Sequence, residues 1–140
     1  MSRVRLICYS DSKENFAKSV KYKVIGTKRR CKFDQADKLY FILKDSGVWK
    51  ICASADADKK TDVYPFSDAY PFYTFGVKNV KLCEPFEIAA ICRKYVGQYW
   101  GLNLKFPAPI EDSEFANELD SHFKEITYQQ FTNIIELPEV

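Results

Sequence analysis

The run at residues 38–44, KLYFILK, is followed by Asp45, Ser46 and Gly47 and then by residues 48–55, VWKICASA. It constrains this chain more than any other stretch. Both runs are rich in β-forming side chains, and a short polar segment ending in glycine suits a tight reversal between paired strands. A hairpin this apolar needs a sheet and a core to bury it. With 46% hydrophobic residues, the 140-residue chain can supply one core of useful size, so a single domain spanning 1–140 is expected, either a protein of its own or a fragment of a larger one.

The other elements arrange themselves around that hairpin. Residues 4–9, VRLICY, read as a first strand. Asp11 with Glu14 three residues later has the form of a capping box. It opens a helix over Phe16, Ala17 and Val20 that should stop near residues 19–21, before the β-favouring run that leads to Gly26. Residues 56–70, DADKKTDVYPFSDAY, lose all periodicity and read as a long loop. Residues 72–82 alternate as a long strand, with Gly76 placed for a bulge. A helix is expected over residues 86–95, closed by Gly97, then either a strand or a loose segment at 99–106, ended by Pro107 and Pro109. Another helix is expected at 113–124 over Phe115, Leu119 and Phe123. Thr127 and Gln130 form a capping box for a last helix with Phe131, Ile134 and Ile135 as its apolar face. Hairpins with helices between them predict an α+β fold, with a strongly bent sheet or small β-barrel surrounded by helices.

Charge and aromatic content narrow the function classes. Net charge is only +2, but residues 1–50 hold thirteen Lys and Arg against five Asp and Glu, while residues 111–140 hold one Lys and eight acids. Such asymmetry makes one face attractive to phosphate without making the whole surface sticky. Aromatic residues reach 16% and need either a core or a face that stacks planar ligands. The five cysteines never form a C-x-x-C pair, and with one histidine they suit reduced core thiols better than a metal site. Asp56, Asp58 and Asp62 are interspersed with lysines, which argues against cation binding. No cofactor is expected. With no apolar run of membrane-spanning length and no leader-like start, a cytoplasmic location is expected.

Three blocks carry a family resemblance: SDSKENFAKSVKYKVIG at 10–26, LYFILKDSGVWKICASADA at 39–57, and YWGLNLKF at 99–106 with FKEITYQQFTNII at 123–135. Together they resemble the EVE and YTH branches of the PUA-like superfamily. The resemblance implies a non-catalytic reader that accepts a flipped, modified base of DNA or RNA, within a modification-dependent restriction system and beside a nuclease or motor domain. It aligns Asn15 with a base-contacting polar side chain, and it places Ile25, beside Gly26, where the family has a stacking Trp.

A flipped base needs rings or flat walls for its faces, polar groups for its edge and cations for its phosphates. The candidate base pocket is Ser10, Asn15, Ile25, Gly26, Trp49, Tyr64, Phe66, Tyr70 and Tyr73. The candidate phosphate contacts are Lys28, Arg29, Arg30 and Lys32. Each has a structural alternative: Trp49 in an alternating strand suits a core, Trp100 beside Gly101 suits ring-on-glycine packing, and the cationic run suits a solvated loop. Two other classes stay open. An ASCH-like enzyme acting on a modified nucleoside or RNA would need a perturbed Lys, Asp or Glu at the pocket floor. A protein-interaction domain would need an exposed apolar patch without a basic rim. No nucleophile–base pairing, phosphate-binding glycine loop or paired-carboxylate motif is present to support catalysis.

Overall fold

The computed structural model describes residues 3–28, 30–67, 73–95 and 109–140. The chain runs β1 (Arg3–Cys8), α1 (Lys13–Tyr22), β2 (Val24–Thr27), β3 (Asp37–Asp45), β4 (Val48–Lys60), β5 (Tyr73–Glu87), α2 (Ala89–Tyr95), α3 (Ser113–His122) and α4 (Tyr128–Ile134). The five strands form one sheet in the order β1-β3-β4-β5-β2. Among the described strands only the β1–β3 pair is parallel. The α+β expectation holds.

The β3 run is apolar without alternation because both its faces are covered. Leu39, Phe41 and Leu43 enter one core cluster with Phe16 of α1 and Phe131 of α4. Tyr40 and Ile42 enter a second with Ile91 of α2 and Phe115 and Leu119 of α3. The expected turn is a two-residue reversal between Asp45 and Val48, with Ser46 and Gly47 both at positive φ (51° and 79°). That conformation matches the twist of the paired strands.

Several boundaries differ from the sequence expectation. α1 is capped by Ser12 rather than Asp11, the Ser12 hydroxyl accepting from the Asn15 backbone N–H at 3.3 Å, and the helix runs to Tyr22. Lys23 then ends it in the left-handed region. β4 continues to Lys60, so residues 56–60 are strand and not loop. Ala53, Ala55 and Ala57 point into the core at alternate positions, and their small size hid the period-2 pattern. Asp56 on the outer side meets Lys38 at 3.8 Å and the Asn79 amide at 2.9 Å. Phe86, expected in a helix, belongs to β5.

β5 bends twice. Between Ala57/Lys60 of β4 and Val77/Phe75 of β5 the register slips opposite Gly76, but the extra residue is on β4, so the bulge expected at Gly76 sits across the ladder from it. A second irregularity between Ile51 and Ala53 faces residues 82–86, and Pro85, which has no N–H, sits in it. Thr127 caps α4 through the expected capping box with Gln130. Of its expected apolar face, Phe131 and Ile135 are buried, but Ile134 is 54% exposed, since only the i and i+4 positions face the core. The Gly97 cap, the segment 99–106 and Trp100 lie outside the described residues. Among the described residues no helix is long and apolar enough to cross a membrane.

Two outcomes test this packing. A Cβ at Gly76 would stand 2.8 Å from the Lys59 carbonyl oxygen. Gly76→Ala should therefore lower unfolding free energy by about 1–3 kcal/mol in urea melts, and wild-type stability would refute the close approach. Burial pushes the Cys52 and Cys92 thiols up to about 12 from the ordinary 9.0. The folded state keeps these protons while the unfolded chain releases them, so their stabilisation is complete below about pH 9 and is lost as pH rises toward 12. Urea midpoints should fall across that range, and less steeply in Cys52→Ala.

Candidate nucleic-acid interface

Ile25 and Thr27 lie two residues apart on β2 and so share a face. Ile25 is fully buried in the first core cluster. Thr27 lines an open groove of about 560 Å³ at the end of that cluster. One bank is the segment after β2, contributing Arg30, Cys31, Lys32 and Phe33; the other is Lys60 and Thr61 at the end of β4, with Tyr73, Thr74 and Phe75 at the start of β5. Strand pairing brings the second bank together, because Thr27 is in register with Tyr73 and Lys60 with Phe75.

The floor is aromatic. The Phe33 and Phe75 ring centroids are 4.9 Å apart and tilted by 48°, and both rings pack against the core. Tyr73 is 45% exposed at the groove, a ring left open to a partner. Arg30, Lys32 and Lys60 are exposed. Neutral groups come from the Thr27 and Thr61 hydroxyls, the Cys31 thiol and Thr74, whose hydroxyl donates to the Thr61 carbonyl at 3.1 Å. Burial raises the Cys31 thiol above its ordinary pKa, against a hydrogen bond to Thr27 and the nearby positive charge of Arg5. The arrangement offers stacking surface, cations and a few neutral hydrogen-bonding groups.

The sequence candidates separate on this geometry. Arg30, Lys32 and Tyr73 line the groove. Lys28 is exposed just after β2. Gly26 is half-buried and pairs with Thr74. Ile25 is a core residue, not a wall: the opening lies one step further along β2, at Thr27. Trp49 is also displaced, packing against the second cluster on the other face of the sheet, with the Lys44 ammonium 5.2 Å from its ring centroid. Ser10 precedes the Ser12 cap of α1 and Asn15 lies in its first turn; neither lines the groove.

Phe66 is buried, edge-on to the exposed Tyr64 ring at 5.7 Å, and Ser67 donates to the Glu14 carboxylate at 3.2 Å. The loop after β4 is thus tied to the α1 N-terminus. Arg29 and Tyr70 lie outside the described residues. Sequence reasoning missed Phe33, Lys60 and Phe75. Two signals were available: Phe33 closes the cationic run at 28–32, and Phe75 shares a strand face with Tyr73.

No protein-family model matches the sequence, and no curated protein matches it. Solved structures do. The YTH domain of the Zygosaccharomyces rouxii MRB1 protein, in complex with N6-methyladenosine RNA, is similar with TM-score 0.58 and 16% identity, over 90% of this chain and 89% of its own. The fold is that of YTH domains. A second, the Mmi1 YTH domain in complex with RNA, is similar with TM-score 0.57 and 13% identity, over 99% of this chain and 84% of its own. The YTH architecture accounts for the strongly curled sheet and the helices on both its faces.

Thiol labelling checks the placement of the groove wall. Cys8 and Cys31 are half-buried, while Cys52, Cys83 and Cys92 are buried. Under native conditions a maleimide should modify Cys31 and Cys8 well before the other three, as read by peptide mass mapping. Equal rates for Cys31 and Cys52 would contradict the open groove.

Proposed function

We propose that this chain binds single-stranded RNA and reads a modified base, without catalysing a reaction. The observation that carries the reading is the groove, where the open Tyr73 ring stands with the Phe33–Phe75 floor between Arg30 and Lys32 on one bank and Lys60 on the other. The YTH fold supports the same reading, since similar structures hold RNA and one of them N6-methyladenosine RNA. In this reading the base stacks on Tyr73 and the aromatic floor. The banks take the flanking phosphates. A base–aromatic stack contributes about 1–3 kcal/mol, enough to offset the few kcal/mol of unstacking a base from its strand.

Recognition does not require the domain to react. A nuclease or motor activity, as in a modification-dependent restriction system, would come from an associated domain. The same chemistry fits a single DNA strand, because no groove group named above selects for the ribose hydroxyl.

Binding of a short single-stranded RNA, with and without N6-methyladenosine and across a salt series, tests the proposal. Three phosphate contacts on a single strand give a log–log salt slope of about −2. Tyr73→Ala should weaken binding by roughly tenfold or more while leaving that slope unchanged. Lys60→Ala should make the slope shallower by about 0.7. Trp49→Ala should leave RNA binding unchanged, and bound RNA should protect Cys31 from maleimide. Affinity indifferent to the methyl group would sink the modified-base reading, and a flat salt response would sink the phosphate contacts.

A further inference from the structure

Arg5 is 3% exposed on β1, an unusual place for a guanidinium. Its Nε donates to Asp37 Oδ2 at 2.7 Å, and its Nη2 donates to the Lys32 carbonyl at 2.7 Å. The guanidinium carbon Cζ lies over the Phe33 ring, 4.6 Å from its centroid. Asp37 is buried at the start of β3 and holds the other side of the same segment: Oδ2 also accepts the Asp34 backbone N–H at 3.0 Å, and Oδ1 meets Arg3 Nε at 2.8 Å. Lys32, Phe33, Asp34 and Asp37 are therefore fixed through one buried pair.

We infer that Arg5 is a positioning residue for the groove, resting on the nucleic-acid reading above: it holds the 30–33 bank so that Arg30 and Lys32 stand across from Lys60 and Tyr73. A buried ion pair is a poor device for stability alone, because desolvation offsets much of the attraction and apolar residues of similar volume often serve folding as well. What this pair holds is specific. Its second hydrogen bond goes to a carbonyl in the phosphate-contacting bank, and its flat face supports one of the two floor rings. Only a planar fork can make the Asp37 contact, the Lys32 contact and the Phe33 stack together. Lysine keeps the charge beside Asp37 but has neither the fork nor the plane.

A double-mutant cycle on the full chain separates positioning from plain stability. The probe is short single-stranded RNA carrying N6-methyladenosine. In Arg5→Lys the salt slope should become shallower by about 1.4, the share of two phosphates on a single strand. Adding Arg30→Ala and Lys32→Ala to Arg5→Lys should then cost no further affinity, although the same pair weakens the wild type. Coupling of this kind marks residues acting through one structural unit, and a general loss of stability would leave the slope per phosphate unchanged. An unchanged slope, or additive losses, overturns the inference while leaving the RNA reading intact.

Wild-type protein that binds no RNA overturns the underlying reading instead. Circular dichroism establishes that each variant folds. If Arg5→Lys does not, Asp34→Ala removes the exposed carboxylate that accepts the Ala36 N–H at 2.9 Å without touching the buried pair. With the pair intact the bank should stay held and the salt slope unchanged, and a shallower slope there, which places control of the bank in the exposed turn, overturns the inference as well.

Discussion

Two-sided burial of β3 is the constraint on which the rest of this structure depends. A strand with Leu39, Phe41 and Leu43 on one face and Tyr40 and Ile42 on the other cannot lie at a solvent-facing layer. It requires cover above and below, and the chain supplies it in pairs: α1 and α4 on the first face, α2 and α3 on the second. Burying a large apolar side chain contributes about 1.5–3 kcal/mol, so the five β3 positions alone outweigh any single surface interaction in deciding the arrangement. The groove sits where the first layer ends. Beyond Ile25 the face passes from core to Thr27, Phe33 and Phe75, and the cationic segment after β2 forms the next wall.

Two of the three register shifts between β4 and β5 have a local chemical cause. Gly76 lets the Lys59 carbonyl approach where a side chain would collide, and Pro85 occupies an irregularity where a ladder N–H is not required. A long strand bent in this way pairs with β4 along its length and with β2 at its first four residues. The start of β5 therefore stands beside both Thr27 and Lys60, two positions separated by more than thirty residues in the chain. The bend in the sheet is what assembles the groove.

Much of the fold could be read from local pattern. The β3–β4 hairpin, the α4 capping box and the register shift at Gly76 each carry their signal within a few residues, so physical reasons that act locally left a local trace. Where the pattern failed, the deciding contact was distant or the side chains were small. Ala57 buries as a strand residue but looks like loop, and Asp56 and Asp58 on either side of it strengthen that impression. Ile134 looks like core until the helix phase is fixed by Phe131 and Ile135. For the candidate site, the cationic run and Tyr73 were legible as residue types suited to phosphate and base. Their partners across the groove were not, because register between β2, β4 and β5 is a tertiary fact.

The displacement from Ile25 to Thr27 separates fold from chemistry. An isoleucine sealed in the core offers no ring to a ligand, yet it completes the packing that keeps β2 in place. The strand then presents its next inward position, a threonine, to the opening, and the aromatic surface comes from Phe33, Tyr73 and Phe75 on neighbouring segments. Stacking needs only a flat apolar face at the right place, whichever strand supplies it. A backbone of this fold can therefore carry different side chains at such a groove, and those side chains decide what fits it.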